Sequence, residues 1–457
     1  MISRQHWTDC SPLAWFLIPA LLALPAPLAG RVRLPHTQID QVVLANGLRV
    51  EMVENHDAPV VNVQVWYHVG SKDEGAGQTG FAHLFEHLMF DGTRNLGPDE
   101  FSNYIVRSGG LDNAYTTEDA TVFWETVPSS TLPVALWLEA DRMRNLDISD
   151  RSFKNEREVV KEERRERFDN QPYGNVLEVL YAHAFTVHPY RHTPIGSMED
   201  LDRASAGDVR RFYDTYYVPN NATLVIVGDF VKAGAEAEIR KYFAPIAAGA
   251  PIERHIAVEP PQAGQRIVKL QQDVALPAFV EGFHMPADGT PDAYPLRLAA
   301  VVLSEGESSR IYRRLVYEKQ IALQAESSGN FTEDPNLFFV FGVLNAGYAP
   351  AQAEAEIESL LADLRSQPLP AAELEKAQNE ILREFTVDRQ SNQSRADELG
   401  QDTVILKDSE LVNTEVERFL SVTPADIERV ARKYFVPENM TLVEVYPDGK
   451  SGRGSGR

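Results

Sequence analysis

Two histidines and a glutamate lie inside an apolar run of this 457-residue chain, GFAHLFEHLMFDGT, at residues 80–93. On a helix, His83 and His87 would project from one face, close enough to share a small ion. Imidazole nitrogens are good zinc ligands. Glu86 would lie beside them and could act as general base on a water molecule bound to that ion. The spacing His-x-x-Glu-His is therefore typical of a catalytic zinc site, although a histidine pair on a helix is by itself often structural and a third ligand must decide.

The chain must supply a third ligand, because catalytic zinc usually takes three from the protein. The charged stretch NEREVVKEERRERF offers two carboxylates two helical turns apart, Glu156 and Glu163, on the face that carries Val159 and Val160. That face is the one expected to be buried, so both carboxylates need partners there. We predict that Glu163 is the third ligand and that Glu156 supports the ligands from behind.

The combination of these motifs resembles the pitrilysin family of zinc peptidases, the inverzincins. The resemblance rests on His-x-x-Glu-His, on the later E-x-x-V-V-x-x-E helix, on the NAYT strand and on HPYRHTPIG at residues 188–196. The resemblance covers nearly the whole chain that follows the apolar N-terminal run. The length is similar to the short two-domain bacterial branch, in which two chains enclose a peptide-holding chamber.

The resemblance implies roles for particular residues of this chain. His83, His87 and Glu163 would hold one Zn²⁺ ion per chain, and Glu86 would activate the water that attacks a peptide carbonyl. A further pair, Asn113 and Ala114, matches the edge strand with which the family grips an extended peptide by main-chain hydrogen bonds.

An internal repeat sets the elements that must position these residues. The segment SAGDVRRFYDTYYVPNNATLVIVGD, at 205–229, recurs as TPADIERVARKYFVPENMTLVEVYPD, at 423–448. Both copies are typical of an N-capped amphipathic helix, a turn and a β-branched strand. We predict an α+β fold of two homologous α/β sandwich domains that arose by internal duplication, each a mostly antiparallel sheet packed with helices.

The repeat and the composition also predict the boundaries along the chain. A stretch rich in proline, alanine and glycine between the copies suits a linker. The predicted segments are a signal peptide (1–29), a zinc-binding peptidase domain (36–247), a linker (248–265), a homologous domain without a metal motif (266–448) and a flexible tail (449–457).

The apolar run at residues 12–29, PLAWFLIPALLALPAPLA, ends in small residues and is typical of a secretory signal. Its prolines argue against a stable membrane span. We therefore expect a periplasmic or otherwise exported protein. The single cysteine, Cys10, would leave with the signal, so that any metal site must use histidine and carboxylate ligands.

The expected partners follow from charge and from one departure from the family. The net charge of −23 argues against a nucleic-acid partner. Self-sufficient relatives supply an arginine and a tyrosine to the substrate from their second domain. In the matching segment LVYEKQIAL these positions are Val316 and Leu323, which cannot donate hydrogen bonds. We therefore expect a heterodimer in which a homologous subunit without zinc supplies the pair; a homodimer is the alternative.

Two other functions compete with a peptidase. A non-catalytic peptide-binding or assembly subunit would explain the absent Arg/Tyr pair, but such a subunit does not need the complete zinc motif. A metal-storage or transport protein would not need Glu86 beside an open coordination position. We expect three further histidines to be structural: His183, His188 and His192.

Overall fold

Two sheets, one in each half of the chain, form the framework of the protein, which a computed structural model describes over residues 34–449. The predicted signal peptide and all but the first residue of the predicted tail lie outside these residues. The strands are β1 (Asp40–Val43), β2 (Arg49–Glu54), β3 (Val60–Tyr67), β4 (Leu111–Thr116), β5 (Thr121–Pro128), β6 (Ala222–Gly228), β7 (Arg266–Gln272), β8 (Ala278–His284), β9 (Ala322–Gly329), β10 (Leu337–Leu344) and β11 (Met440–Pro447).

Helices cover both sheets and join their strands. They are α1 (Phe81–Asp91), α2 (Glu100–Arg107), α3 (Leu132–Asn145), α4 (Asp150–Arg164), α5 (Val176–Ala184), α6 (Met198–Arg203), α7 (Ala206–Tyr216), α8 (Lys232–Phe243), α9 (Ala293–Ser304), α10 (Pro350–Ser366), α11 (Ala371–Asp388), α12 (Asn392–Val404), α13 (Leu411–Ser421) and α14 (Pro424–Tyr434). Within residues 34–449, none of the helices is long and apolar enough to cross a membrane.

The two sheets share one topology. The first has six strands in the order β1-β2-β6-β3-β5-β4, and the second has five in the order β7-β11-β8-β10-β9. Without the β1 strand the two orders are equivalent, and each sheet contains one parallel pair, β2–β6 or β7–β11, among antiparallel pairs. The predicted α+β class, with two mostly antiparallel sheets packed with helices, is confirmed.

The repeated segment forms the same local structure twice. Helices α7 and α14 each begin with a reciprocal capping box, in which a hydroxyl and an aspartate bond each other's backbone amides. After each helix an asparagine bridges the chain: Asn221 donates to the carbonyls of His68 and Tyr216, and Asn439 donates to those of His284 and Tyr434. The repeat therefore preserves hydrogen bonds as well as sequence.

Each domain contributes one helix that packs on the sheet of the other domain. Helix α12, from the second half, packs on β3 and β6, while α5, from the first half, packs on β8 and β11. A glycine permits the close approach in both places. A Cβ on Gly400 would lie 2.2 Å from the Trp66 ring, and a Cβ on Gly282 would lie 2.9 Å from the Leu180 side chain. This exchange fixes the two domains against each other.

A buried ion cluster also joins the domains. Lys72 Nζ, with a side chain only 2% exposed, lies 2.8 Å from Asp119 Oδ1 and 2.6 Å from Glu333 Oε2. Its lysine and aspartate come from the first domain and its glutamate from the second. A charge buried this deeply is stable only while it is paired.

Candidate metal centre

Helix α1 separates its apolar residues from its polar ones as the sequence predicts. Six of its side chains are buried in the first core: Phe81, Ala82, Leu84, Phe85, Leu88 and Met89. The opposite face carries His83, Glu86 and His87, which are half-buried. The apolar neighbours thus anchor the helix and leave two imidazoles and a carboxylate on one side.

The start of α1 is held by a buried carboxylate instead of an ordinary N-cap. Gly80, with a φ of 94°, precedes the helix and has no side chain to cap it. Glu74 accepts hydrogen bonds from the amide of Gly80 at 2.9 Å and from that of Ala82 at 2.8 Å. Burial raises the pKa of Glu74 well above its ordinary value. The amide just before α1 and one amide of its first turn are satisfied in this way.

The HPYRHTPIG segment packs against the same helix start. Gly196 has a φ of 69°, and a Cβ on it would lie 2.3 Å from the amide nitrogen of Gly80. His192 Nδ1 lies 3.7 Å from Glu74 Oε2. Residues of this motif therefore pack against the start of α1.

Helix α4 brings the acidic residues to α1. Its N-cap, Ser149, accepts a hydrogen bond from the amide of Ser152, and the helix packs along α1. The burial of its valine pair is as predicted for Val160 only, because Val159 is 47% exposed. The buried face of α4 is therefore narrower than the sequence suggested.

His83, His87 and Glu163 converge on one point. One ligand atom from each lies within 4.8 Å of the others, and within residues 34–449 this is the one set of three such donors at that spacing. Glu163 Oε2 is 3.1 Å from His87 Nε2 and 3.6 Å from His83 Nε2. Two nitrogens and one carboxylate oxygen are the donor types that catalytic zinc takes.

The imidazoles are in the protonation state that a metal requires. Burial, reinforced by the neighbouring His87, lowers the pKa of His83 to about 4, and burial also lowers the pKa of His87. Both rings are therefore neutral near neutral pH and have a lone pair to offer. The residues present thus fit a zinc ion.

Glu86 is held on one side of this cluster by the edge strand. Its Oε2 accepts a hydrogen bond from Thr116 Oγ1 on β4 at 2.8 Å. Burial raises the pKa of Glu86 from its ordinary value. A carboxyl group with a raised pKa, which Thr116 orients, thus lies on the same face of α1 as the two imidazoles.

The predicted support from Glu156 is only partly seen. Its Oε2 lies 3.7 Å from His87 Nδ1, too far for a direct hydrogen bond. Burial, with Asp91 and Asp99 nearby, raises the pKa of Glu156 to about 7. The carboxyl group therefore lies near His87 Nδ1 without bonding it directly, and its supporting role stays a prediction.

Sequence reasoning missed two residues of the site. Arg167 pairs with Glu163 Oε1 at 2.6 Å, and Thr116 bonds Glu86. The arginine follows the glutamate by four residues, in the π-helical turn Arg165–Asp169 that continues α4, so the spacing of the charges could have revealed it. The threonine comes from a distant strand, and its contact needs the tertiary structure.

Asn113 and Ala114 lie on β4, which ends the first sheet and pairs with β5 on one side. Asn113 Oδ1 accepts a hydrogen bond from the amide of Ala114 at 2.9 Å. The side chain of Asn113 thus accepts the amide hydrogen bond of Ala114 that the backbone of a further strand would otherwise accept.

Val316 and Leu323 stand where self-sufficient relatives have the arginine and the tyrosine, and the two side chains lie in different environments. Val316 is partly buried against the second core, and Leu323 is 60% exposed on β9, the outer strand of the second sheet. The nearby arginines are engaged locally: Arg313 with Glu318 at 3.1 Å and Arg314 with a glutamate of α10 at 3.1 Å.

The three other histidines make local contacts. His183 Nδ1 lies 2.8 Å from the carbonyl of Val179, and His188 Nδ1 accepts from the amide of Tyr190 at 3.1 Å. These contacts, with that of His192 described above, are those of structural residues.

Comparisons with known proteins agree with this geometry. Residues 49–196 match the family described as Insulinase (Peptidase family M16), and residues 203–381 match the Peptidase M16 inactive domain. The zinc protease PqqE of Helicobacter pylori is 32% identical over 93% of this chain and 96% of its own. A probable mitochondrial-processing peptidase subunit beta of Arabidopsis thaliana is 23% identical over 90% of this chain and 79% of its own.

A solved structure shows the same fold. The crystal structure of a protease from Helicobacter pylori has a TM-score of 0.86 and 32% identity, and the match covers 90% of this chain and 100% of that one. Duplicated α/β domains with an inverted His-x-x-Glu-His centre define a class of metallopeptidase folds. The chain belongs to the insulinase family, peptidase family M16, as the resemblance to pitrilysin-type enzymes predicted.

Proposed function

We propose that this zinc protease is an endopeptidase for short or unfolded peptides, with one metal ion per chain held by His83, His87 and Glu163. The convergence of their ligand atoms within 4.8 Å carries the proposal. The zinc ion, when bound, would supply Lewis-acid activation of water. The relatives described as zinc proteases favour zinc as the metal.

In this proposal Glu86 is the general base. Thr116 donates to Oε2 and so orients the carboxylate, and the other oxygen, Oε1, would accept the proton of the attacking water. Because burial raises the pKa of Glu86, its carboxylate is a stronger base than a solvated one. The same group can then return the proton to the leaving amine.

The outer edge of β4 would bind the substrate. An extended peptide that pairs with this edge needs the amide of Ala114, which Asn113 now occupies with its side-chain oxygen. We propose that a substrate carbonyl replaces this oxygen, so that the strand adds the peptide by main-chain hydrogen bonds. The peptide would then run past Glu86, because Thr116 is two residues further along the strand.

The enclosing chamber would be completed by a second subunit. Val316 and Leu323 cannot donate to a developing oxyanion, and stabilisation of that charge is a large part of amide hydrolysis. We propose a heterodimer in which a homologous subunit without zinc supplies an arginine and a tyrosine. The apolar segment at residues 12–29 supports export, so we expect the assembly in the periplasm or outside the cell.

The catalytic assignment is tested with Glu86→Gln. The amide keeps the hydrogen bond acceptor and the size of the side chain but cannot take up a proton. We expect the variant to bind as much zinc as the wild type and to lose cleavage of a mixed peptide set by at least about a hundredfold. Glu162→Gln, an exposed neighbour of Glu163, is the matched control and should be unchanged. Unaltered cleavage by Glu86→Gln would refute the assignment.

The subunit assignment is tested with the mature chain alone. We expect weak cleavage by the isolated chain and stronger cleavage when a homologous subunit is added. The double variant Val316→Arg, Leu323→Tyr should raise the activity of the isolated chain. Full activity of the wild-type chain by itself would exclude the need for a partner. If no assembly cleaves peptides while the chain still binds them, a non-catalytic peptide-binding subunit, which the absent Arg/Tyr pair favours, becomes the better conclusion.

A further inference from the structure

A cavity of about 470 Å³ lies where α12 crosses from the second domain onto the first sheet. Trp66 and Tyr115 of the first domain line one side, and Phe385 of α11 and Phe419 of α13 line the other. None of the described residues of α1 or α4 contributes to its lining. The cavity is therefore separate from the metal centre.

Carboxylates line this cavity from its rim inward. Glu384 and Asp388 of α11 are exposed at the rim, and Asp397 and Glu398 of α12 form part of the wall. The wall residues have partners: Asp397 accepts from a glutamine side chain at 3.0 Å, and Glu398 pairs with Arg389 at 2.6 Å. The rim thus gives the cavity a negative entrance.

The floor contains carboxylates that lack partners. Asp402 is 2% exposed and Glu415 is 6% exposed, and both line the cavity. Asp402 Oδ2 and Glu415 Oε1 are buried without a hydrogen-bond partner in the part of the chain that the structure describes. Arg297 also lines the cavity and pairs with Asp288 at 2.7 Å, while its Nε has no hydrogen-bond partner among the described residues. Unpaired buried carboxylates are costly, and a cation in the cavity would relieve that cost.

The arrangement of the carboxylates indicates which type of cation the cavity can hold. A metal ion needs at least three donors at one point, and within residues 34–449 the only such group is the one on α1 and α4. The cavity instead offers spaced carboxylates beside four aromatic rings, which suit a cation on an apolar body. Its volume is in the range of small-molecule sites. Burial, with Glu415 next, raises the pKa of Asp402 to about 9, as expected for a carboxyl group without its counter-ion.

We propose that this cavity binds an organic cation, an ammonium or guanidinium group on an apolar stem, whose charge is met by Asp402 and Glu415. The aromatic side chains of Trp66, Tyr115 and Phe385 enclose the stem. Glu384 and Asp388 attract the cation to the rim.

Two sources can supply this group. One is a free polyamine. The other is the side chain of an arginine or lysine in a peptide on β4, and this source rests on the proposed function. Tyr115 lines the cavity, while the next residue, Thr116, bonds Glu86 on the opposite face of the strand. Because side chains of paired strands alternate between faces, a bound peptide would direct every second side chain to the cavity side.

The test measures binding of two probes, spermidine and Nα-acetyl-arginine amide, to the full mature chain by calorimetry. We expect at least one probe to bind, and Asp402→Asn and Glu415→Gln each to weaken it by at least about tenfold. Glu417→Gln changes an exposed carboxylate on α13, the helix that carries Glu415, and this variant should bind the probe like the wild type. Each amide variant should unfold close to the wild-type temperature, since it replaces a buried carboxyl group that lacks a full set of hydrogen-bond partners by an amide of the same size, so lost binding would not reflect misfolding.

Three results would overturn the proposal: neither probe binds at millimolar concentration, the floor variants bind as the wild type does, or Ca²⁺ binds in a manner that requires Asp402. Cleavage then distinguishes the sources. If the source is a peptide side chain, replacing arginine by citrulline in a substrate lowers kcat/KM for the wild type but not for Asp402→Asn. If it is a polyamine, that replacement has no effect. A chain without peptidase activity still gives the binding result, so the two proposals fail separately.

Discussion

Gly196→Ala should displace the start of the helix that carries the metal centre. An alanine in the left-handed region costs about 1–2 kcal/mol. At Gly196, with a φ of 69°, the new Cβ would also lie 2.3 Å from the amide nitrogen of Gly80 and 2.4 Å from its Cα. Such backbone overpacking adds about 1–3 kcal/mol. The total is about 2–5 kcal/mol, enough to move Gly80 and the first turn of α1.

Gly77→Ala separates the two contributions. Gly77 has a φ of 79°, but a Cβ on it would have nothing within 4 Å. It should therefore cost only the conformational part, about 1–2 kcal/mol. Urea unfolding of both variants gives the difference, and peptide cleavage should fall only in Gly196→Ala, because small displacements of reacting groups reduce rates by about a hundredfold. Equal stabilities, with kcat/KM unchanged in Gly196→Ala, would refute the positioning role of this segment.

Two further predictions concern buried charges. Lys72→Met should destabilise the protein by about 3–5 kcal/mol in urea unfolding, because it removes the buried ammonium group that pairs with Asp119 and Glu333 between the domains. Glu259→Gln should change the pH dependence of stability. Burial opposes ionisation of Glu259, but hydrogen bonds from the Thr186 hydroxyl and neighbouring amides outweigh it and lower its pKa to about 2. The contribution of the Glu259 carboxylate to the stability of the folded protein is therefore complete above the ordinary pKa of 4.5. It is lost as the pH falls toward about 2.

Each of these has its own check. Lys319→Met removes a more exposed ion pair with Glu356 and should lower the free energy of unfolding by no more than about 1 kcal/mol. If Lys72→Met lowered it by the same amount, the stabilising role of the buried cluster would be contradicted. For Glu259→Gln, the wild type should be the more stable protein near neutral pH and the two should converge near about pH 2. A difference that stays constant with pH would exclude the proposed linkage.

Much of the metal centre could be predicted because it depends on local periodicity. The spacing of His83 and His87 and the apolar residues between them require only that α1 be a helix with one buried face. The same holds for Glu156 and Glu163, which one helix places on one side. The repeat likewise predicted two similar domains, since a copied sequence carries its caps and turns with it.

What the sequence did not show depends on contacts between distant segments. The exchange of α5 and α12 rests on Gly282 and Gly400, which in the sequence are only isolated glycines in strand and helix patterns. The exposure of Val159 follows from how much of α4 the neighbouring helix covers. Thr116 reaches Glu86 only because β4 ends its sheet beside α1.

The most direct test of the account compares zinc content and peptide cleavage in the wild type and in Glu163→Gln. We expect one zinc ion per wild-type chain. Because an amide is a poor substitute for a carboxylate ligand, the variant should lose most of its zinc and, with it, cleavage. Glu162→Gln should keep both. Full zinc occupancy in Glu163→Gln, or cleavage by the zinc-free protein, would contradict the account.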